Sequence, residues 1–299
     1  MIKRKPYISI VINSSNNLTQ LENCLLSLER LENVELIIIN NFDDEAKLKE
    51  IEEFLDELND PRIVFYQSKI FLSKNHARNL GINFASGSWI YFIDDYDQMT
   101  SKFVNFLNHY KLDPKMHFYR LQIMDYSSKK YRFNLFKTKY YSNLMATFLI
   151  NSETINQFKF QFEDNIYFAD SLVFIYRLYN IKNVNYVSLK RLYAIYHNFE
   201  LDQNDLEPSV LEQSINQSFN LLLHEKRYWY KQYILILVYT IYTQVYLKQK
   251  QQSYLSKIKQ MLKKSKIWFW HYRVLGFCFF WKTFGMRIKV FFRLRSKKA

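Results

Sequence analysis

Three carboxylates lie within four consecutive residues, Asp94, Asp95 and Asp97, directly after the apolar run Trp89–Ile93. Such a run is typical of a buried strand, so the acids would stand at a strand end. Carboxylates this close repel one another unless positive charge lies among them. Mg²⁺ or Mn²⁺ prefers oxygen ligands and would link these acids to phosphate groups. The alternative is a strand-end turn that also caps the next helix, because Asp suits both positions.

The segments around this acidic turn alternate between two patterns. Short apolar runs predict buried strands at residues 7–12, 34–39, 62–66 and 89–93. Apolar residues at helical spacing predict helices between them, one of them capped by Ser73. The order βαβαβαβ predicts an α/β fold with a mostly parallel sheet flanked by helices. Such sheets bind ligands outside the carboxyl ends of their strands, which indicates three loops: Asn13–Asn17, Asn40–Asp44 and Asp94–Asp97.

Four stretches resemble family 2 glycosyltransferases in their order and spacing. They are YISIVINSSNN from residue 7, VELIIINN from 34, SKNHARNLGINFASG from 73 and WIYFIDDYD from 89. FADSLVFIYRLYN, residues 168–180, resembles the later acidic helix of that family, and the similarity covers roughly residues 5–200. The resemblance implies a GT-A (Rossmann-like) fold in which a nucleotide-diphosphate sugar lies across the strand ends.

The resemblance also implies a reaction and roles for particular residues. A divalent metal, Mn²⁺ or Mg²⁺, would be held by a DxD motif formed by Asp95 and Asp97 and would neutralise the diphosphate leaving group. Asp170 stands at the position of the base that takes the proton of the acceptor hydroxyl as it attacks the anomeric carbon, with inversion. The expected donor is a UDP-sugar. Taken without the resemblance, Asp170 would be an exposed acid of a helix predicted over residues 164–180.

The nucleotide-binding residues implied by the resemblance are Asn13, Ser15, Asn40, Asn41, Arg78, Asp94 and Asp95. Arg78 belongs to the family's Ala-Arg-Asn element, although a lone Arg on a helix is commonly a surface salt bridge. Asn40 and Asn41 stand where the family usually has acids that accept a hydrogen bond from the base, and an amide oxygen can still accept one. Tyr96 and Ala169 also replace acids. These departures allow an alternative, a degenerate copy that supports another glycosyltransferase.

The positive charge of the chain is concentrated at its C-terminal end. The net charge is +14, yet residues 1–220 carry 24 basic and 27 acidic residues, whereas residues 221–299 carry 18 basic residues and one acid. Basic residues alternate with aromatic ones over 267–284, a pattern typical of a helix lying in an anionic membrane surface. The apolar run 233–247 is too short to span a bilayer. The alternative is a helical subdomain with a solvated basic face, and no motif indicates nucleic-acid binding.

These patterns predict a GT-A domain over residues 1–208 and a helical, basic and aromatic region over 209–299. We expect sugar transfer to a glycan or lipid-linked acceptor in bacterial surface polysaccharide or glycoconjugate synthesis. The expected location is cytoplasmic, peripheral to the inner face of the plasma membrane. Cys24 and Cys278 form no metal-type pair and favour a reducing compartment. A second copy or a partner transferase could cover the aromatic surface.

Overall fold

The computed structural model describes residues 7–15, 17–40, 45–68, 73–125, 130–131, 144–164, 166–167, 171–197 and 208–223. Asn41, Asp170 and the basic region from residue 224 onward lie outside these residues, so the predictions made for them stay predictions. The first compact unit of the chain ends at Leu222. The division predicted after residue 208 likewise stays a prediction.

The first half of the chain forms the alternating unit that its sequence predicts. Its elements are β1 Ile8–Ser14, α1 Leu18–Leu28, β2 Val34–Asn40, α2 Glu45–Leu58, β3 Ile63–Gln67, α3 Lys74–Phe84 and β4 Trp89–Asp94. The four strands pair in parallel in the order β3-β2-β1-β4. Every residue of β1 and of β4 is buried, as expected for central strands covered on both faces.

The second half extends the same sheet with strands of both directions. Its elements are β5 Gln98–Met99, α4 Ser101–His109, β6 Phe118–Asp125, β7 Lys130–Tyr131, β8 Phe148–Asn151, α5 Ser152–Phe158, α6 Leu172–Tyr179, β9 Tyr186–His197 and α7 Pro208–Leu223. Strand β8 lies antiparallel between β4 and β6, and β6 pairs in parallel with β9. The predicted parallel sheet is therefore confirmed for its first four strands, and the rest of the sheet is mixed.

Two helices bury an apolar face in the same cluster of the core. Helix α1 contributes Leu21 and Leu28, and α4 contributes Phe103 and Leu107. Burying side chains of this size contributes about 1.5–3 kcal/mol each relative to leaving them exposed. Within the described ranges, no helix combines the length and the apolar character needed to cross a membrane.

Helix α6 is shorter than its sequence pattern predicts. The prediction was a helix over residues 164–180, but α6 begins at Leu172, and Ile166 and Tyr167 are not helical. The backbone N–H of Tyr167 donates instead to the hydroxyl of Ser214 on α7, at 3.1 Å. A tertiary hydrogen bond thus takes the place of a helical one, and apolar spacing alone cannot reveal that.

Helix α3 lies close against β1 because of a glycine. A Cβ atom on Gly81 would lie 2.2 Å from Cγ1 of Val11, so this approach requires a residue without a side chain. Ser73 caps the helix as predicted, since its hydroxyl accepts a hydrogen bond from the N–H of His76. The start of α3, at Lys74, stands beside the end of β4.

Candidate active site

The carboxyl ends of β1, β2 and β4 bring polar residues together at one edge of the sheet. The strand register sets Asn13 beside Asp94, Ser14 beside Asn40 and Asn40 beside Gln67. The side chains of the first pair also meet, since Asn13 Nδ2 donates to Asp94 Oδ1 at 3.4 Å. Open parallel sheets bind their ligands at this edge, so these residues form the candidate active site.

Asp94 is the last residue of β4, and positive charge lies near both of its oxygens. Lys74 Nζ is 3.3 Å from Oδ2, and Arg78 Nη2 is 3.9 Å from Oδ1. The hydroxyl of Tyr96 donates to Oδ2 at 2.9 Å and accepts from Lys74 Nζ at 2.8 Å. Two side chains of α3 therefore offset the charge of this buried carboxylate.

Asp95 turns towards the loop that follows β1. Its Oδ2 accepts hydrogen bonds from the N–H of Ser15 at 2.5 Å and from the Ser15 hydroxyl at 2.8 Å. Its Oδ1 is buried and has no hydrogen-bond partner among the described residues. Burial raises the pKa of Asp95 to about 7, because the hydrogen bonds from Ser15 offset the desolvation only in part. An oxygen in this situation is suited to bind a proton, a donor group or a cation.

Asp97 is enclosed beneath the turn that follows β4. It is fully buried, and its Oδ2 accepts a hydrogen bond from the backbone N–H of Asp94 at 3.3 Å. The charge of Asp97 affects the pKa of two core residues. Burial and, after it, the charge of Asp97 raise the pKa of the Tyr91 hydroxyl, and burial together with the nearby Asp carboxylates raises the pKa of the Cys24 thiol. Asp97 thus stabilises the turn from its core side.

The described side chains do not by themselves form the metal site that the sequence predicts on Asp95 and Asp97. In the part of the chain that the structure describes, no three His, Cys, Asp or Glu side chains are grouped so that they could hold an ion. A divalent metal needs several free oxygen ligands, whereas Asp94 Oδ2 is bonded to Lys74 and Tyr96. The metal therefore stays a prediction.

Arg78 is a buried residue and not a surface salt bridge, since it is 2% exposed. Its Nη1 donates to the hydroxyl of Ser171 at 3.1 Å, and its guanidinium carbon lies 5.5 Å from the centre of the Phe162 ring. Because Arg78 also approaches Asp94, it connects the end of β4 to the start of α6. Ser171 directly follows Asp170 in the sequence.

Asn40 is fully buried at the end of β2, where its amide meets β3. Asn40 Nδ2 donates to Gln67 Oε1 at 2.6 Å, and Gln67 Nε2 donates to the carbonyl oxygen of Ser68 at 2.7 Å. The sequence prediction for Asn40 therefore lacked its neighbour Gln67. The signal was present, because Gln67 ends its strand as Asn40 does.

Lys74 is the residue of the site that sequence reasoning missed most clearly. A lysine at the start of a helix is usually solvated, so its type carries little signal. Its position next to the N-cap Ser73, with Arg78 one turn later, could have indicated that α3 directs positive charge to the end of β4.

The family of the chain follows from a match over more than half of its length. The family model described as "Glycosyl transferase family 2" matches residues 9–174. That range includes β2 to β4, all of β1 except its first residue, and all the strand ends described above. The chain belongs to glycosyl transferase family 2. It is a glycosyltransferase, as the resemblance of its four stretches implied.

Solved structures share this fold at low sequence identity. S. aureus TarS 1–349 in complex with UDP-GlcNAc matches with a TM-score of 0.63 at 12% identity, covering 87% of this chain and 80% of that one. TarS 1–349 in complex with UDP matches with a TM-score of 0.61 at 13% identity, with the same two coverages. No curated protein matches the chain by sequence. The likeness confirms the predicted GT-A class of fold.

Proposed function

We propose that this glycosyltransferase moves one sugar from a nucleotide-diphosphate sugar to a hydroxyl group of a glycan or lipid-linked acceptor, with inversion. The observation that supports the proposal most is the cluster of Asn13, Ser15, Asp94 and Asp95 at the carboxyl ends of β1 and β4. Amide, hydroxyl and carboxylate groups there are suited to hydrogen-bond the ribose and the base of a nucleotide.

The donor we propose is a UDP-sugar. The TarS structures that share the fold hold UDP-GlcNAc and UDP, and the same class of nucleotide would suit the strand ends of this chain. Asn40 and Asn41 would accept a hydrogen bond from the base through their amide oxygens. Arg78 would hold the carboxylate of Asp94 in place.

We propose Asp170 as the catalytic base, because it stands at the position of that base in the sequences of the family. It would take the proton from the acceptor hydroxyl while the acceptor oxygen attacks the anomeric carbon and the bond to the diphosphate breaks. The position of the next residue supports this role. Ser171 bonds to Arg78, which in turn approaches Asp94, so the chain reaches the site directly after the proposed base.

A divalent Mn²⁺ or Mg²⁺ on Asp95 and Asp97, if bound, would supply a Lewis acid for the diphosphate. We assign no step of the reaction to it, because no three His, Cys, Asp or Glu side chains among the described residues are grouped so that they could hold an ion. A degenerate partner subunit is the second reading of the same fold. The substitutions at Asn40 and Tyr96, where acids are usual, favour it.

Calorimetric titration with UDP and with GDP, each with manganese and with EDTA, tests the donor site. We expect UDP to bind, and Asn13→Ala to weaken that binding by about tenfold because it removes a polar contact at the strand ends. Asn105→Ala, on the exposed face of α4, is the matched control and should bind as the wild type does. A folded protein that binds neither nucleotide would refute the proposal and favour the partner subunit.

We also propose that the basic region after residue 208 holds the enzyme at an anionic membrane surface on its cytoplasmic side. Its 18 basic residues beyond residue 220 would supply about 1 kcal/mol each where they approach the lipid. The full chain should float with vesicles that contain phosphatidylglycerol, and added salt should release it. Equal binding to neutral vesicles, or no binding, would contradict the proposal.

A further inference from the structure

Lys74 holds an unusual position in the candidate active site. It is the first residue of α3, and the helix is anchored at two places. Ser73 caps its first turn, and Gly81 lets it lie close against Val11 of β1. These two contacts fix the position of α3 on the sheet. The side chain of its first residue, Lys74, reaches Asp94 at the end of β4.

The ammonium group of Lys74 forms a closed triangle with two acceptors. Lys74 Nζ donates to the Tyr96 oxygen at 2.8 Å and to Asp94 Oδ2 at 3.3 Å, and the Tyr96 hydroxyl donates to the same Oδ2 at 2.9 Å. One arrangement of protons satisfies all three contacts, since the ammonium only donates and the carboxylate only accepts. The ammonium is therefore held at one oxygen of the Asp94 carboxylate.

Exposure sets Lys74 apart from the other charged groups of this cluster. The side chains of Asp94 and Arg78 are each 2% exposed, whereas that of Lys74 is 22% exposed. Arg78 is occupied by the Ser171 hydroxyl, deeper in the protein. Of these three residues, Lys74 is the one that can present positive charge to an anion lying across the strand ends.

From this geometry we infer that the Lys74 ammonium supplies the positive charge for the diphosphate leaving group, in place of a divalent metal. The inference rests on the proposed sugar transfer. In that reaction the bond from the anomeric carbon to the diphosphate oxygen breaks and its electron pair stays on that oxygen. The new negative charge develops beside the ammonium, while the acceptor oxygen bonds to the carbon and its proton passes to the base. Preorganised positive charge stabilises such a transition state.

The same contacts disfavour a metal ion on the Asp94 carboxylate. A divalent ion on Asp94 Oδ2 would have to displace two hydrogen bonds and would lie next to the ammonium, a like charge. Tyr96 stands where the family often has an acid, so its hydroxyl replaces a charged ligand with a neutral one. Tyr96 thus provides an uncharged acceptor for the ammonium group of Lys74, which is itself the cation of the site.

UDP titration of the full chain, with manganese and after removal of metals by EDTA, tests the inference. We expect the same affinity in both conditions within about twofold, and Lys74→Met should weaken UDP binding by about tenfold to a hundredfold. Lys74→Arg, which keeps the charge, should restore most of the affinity. Lys102→Met, an exposed residue of α4, is the matched control and should have no effect.

Electron paramagnetic resonance of Mn²⁺ gives a readout that does not depend on turnover. Protein added to a mixture of Mn²⁺ and UDP should take up no Mn²⁺ beyond what UDP itself binds. UDP binding that EDTA abolishes, or any uptake of Mn²⁺ by the protein beyond what UDP itself binds, would overturn the inference while leaving the transferase proposal in place. No UDP binding in either condition would remove the proposed donor site and the role of Lys74 with it. Should Lys74→Met fail to fold, the wild-type titrations and Lys74→Arg still decide.

Discussion

Raising the pH should weaken the folded state through the buried carboxyl of Asp95. Its pKa is raised to about 7 in the folded protein, from an ordinary value of 3.8. Between these two values the folded chain holds a proton that the unfolded chain has released. The stability due to this proton is fully present below the unfolded pKa and is lost as the pH rises through the folded one. Between pH 4.5 and pH 7.5 the loss amounts to about 3 kcal/mol.

The substitution Asp95→Asn isolates this contribution. An amide does not titrate, and its oxygen can still accept the two hydrogen bonds from Ser15. Both proteins would be unfolded with urea in the presence of EDTA. From pH 4.5 to pH 7.5 the free energy of unfolding of Asp95→Asn should rise by about 3 kcal/mol relative to that of the wild type. The exposed Asn105 of α4 provides the control, since Asn105→Ala changes no titratable group and should leave the pH dependence unchanged.

Parallel pH profiles for Asp95→Asn and the wild type would refute this reasoning. They would mean that water or a rearranged donor solvates Asp95 Oδ1, the atom that lacks a partner among the described residues. A wild type that gains stability from pH 4.5 to 7.5 relative to the variant would reverse the sign and point to a cation beside the carboxylate.

Three further variants test the contacts around the site. Arg78→Met should lower the free energy of unfolding by about 3 kcal/mol or more in urea, because it removes a cation beside the buried Asp94. Gly81→Ala should cost about 1–3 kcal/mol in the same assay, because its Cβ would clash with Val11. Asp170→Asn should lower the rate of sugar transfer, measured by the release of UDP, by about 10²- to 10⁴-fold. Its affinity for UDP should stay that of the wild type.

The first two of these variants have a control in the same chain. Arg30→Met changes an exposed arginine and should leave stability within about 0.5 kcal/mol of the wild type. Val11→Ala combined with Gly81→Ala should cost less than the sum of the two single changes, and simple additivity would contradict the clash. An Asp170→Asn enzyme with full activity would assign the base elsewhere.

The class of fold was readable from the sequence because its signals are local. Buried parallel strands are continuous apolar runs, and helices between them repeat their apolar residues every three to four positions. Those patterns predicted β1 to β4 and the loops at their ends, and four motifs in order indicated the family. The insertion of β8 between β4 and β6 was not readable, because pairing between distant strands leaves no pattern in either one.

The tertiary structure decided which groups each carboxylate of the site contacts. The sequence determined that Asp94, Asp95 and Asp97 follow a buried strand, and the family resemblance indicated Asp95 and Asp97 as the metal ligands. Folding gives them different partners: Lys74 for Asp94, Ser15 for Asp95 and the core beneath the turn for Asp97. The charge and the ligands of a carboxylate depend on groups that lie close in space, and here those groups come from segments up to 80 residues away in the chain.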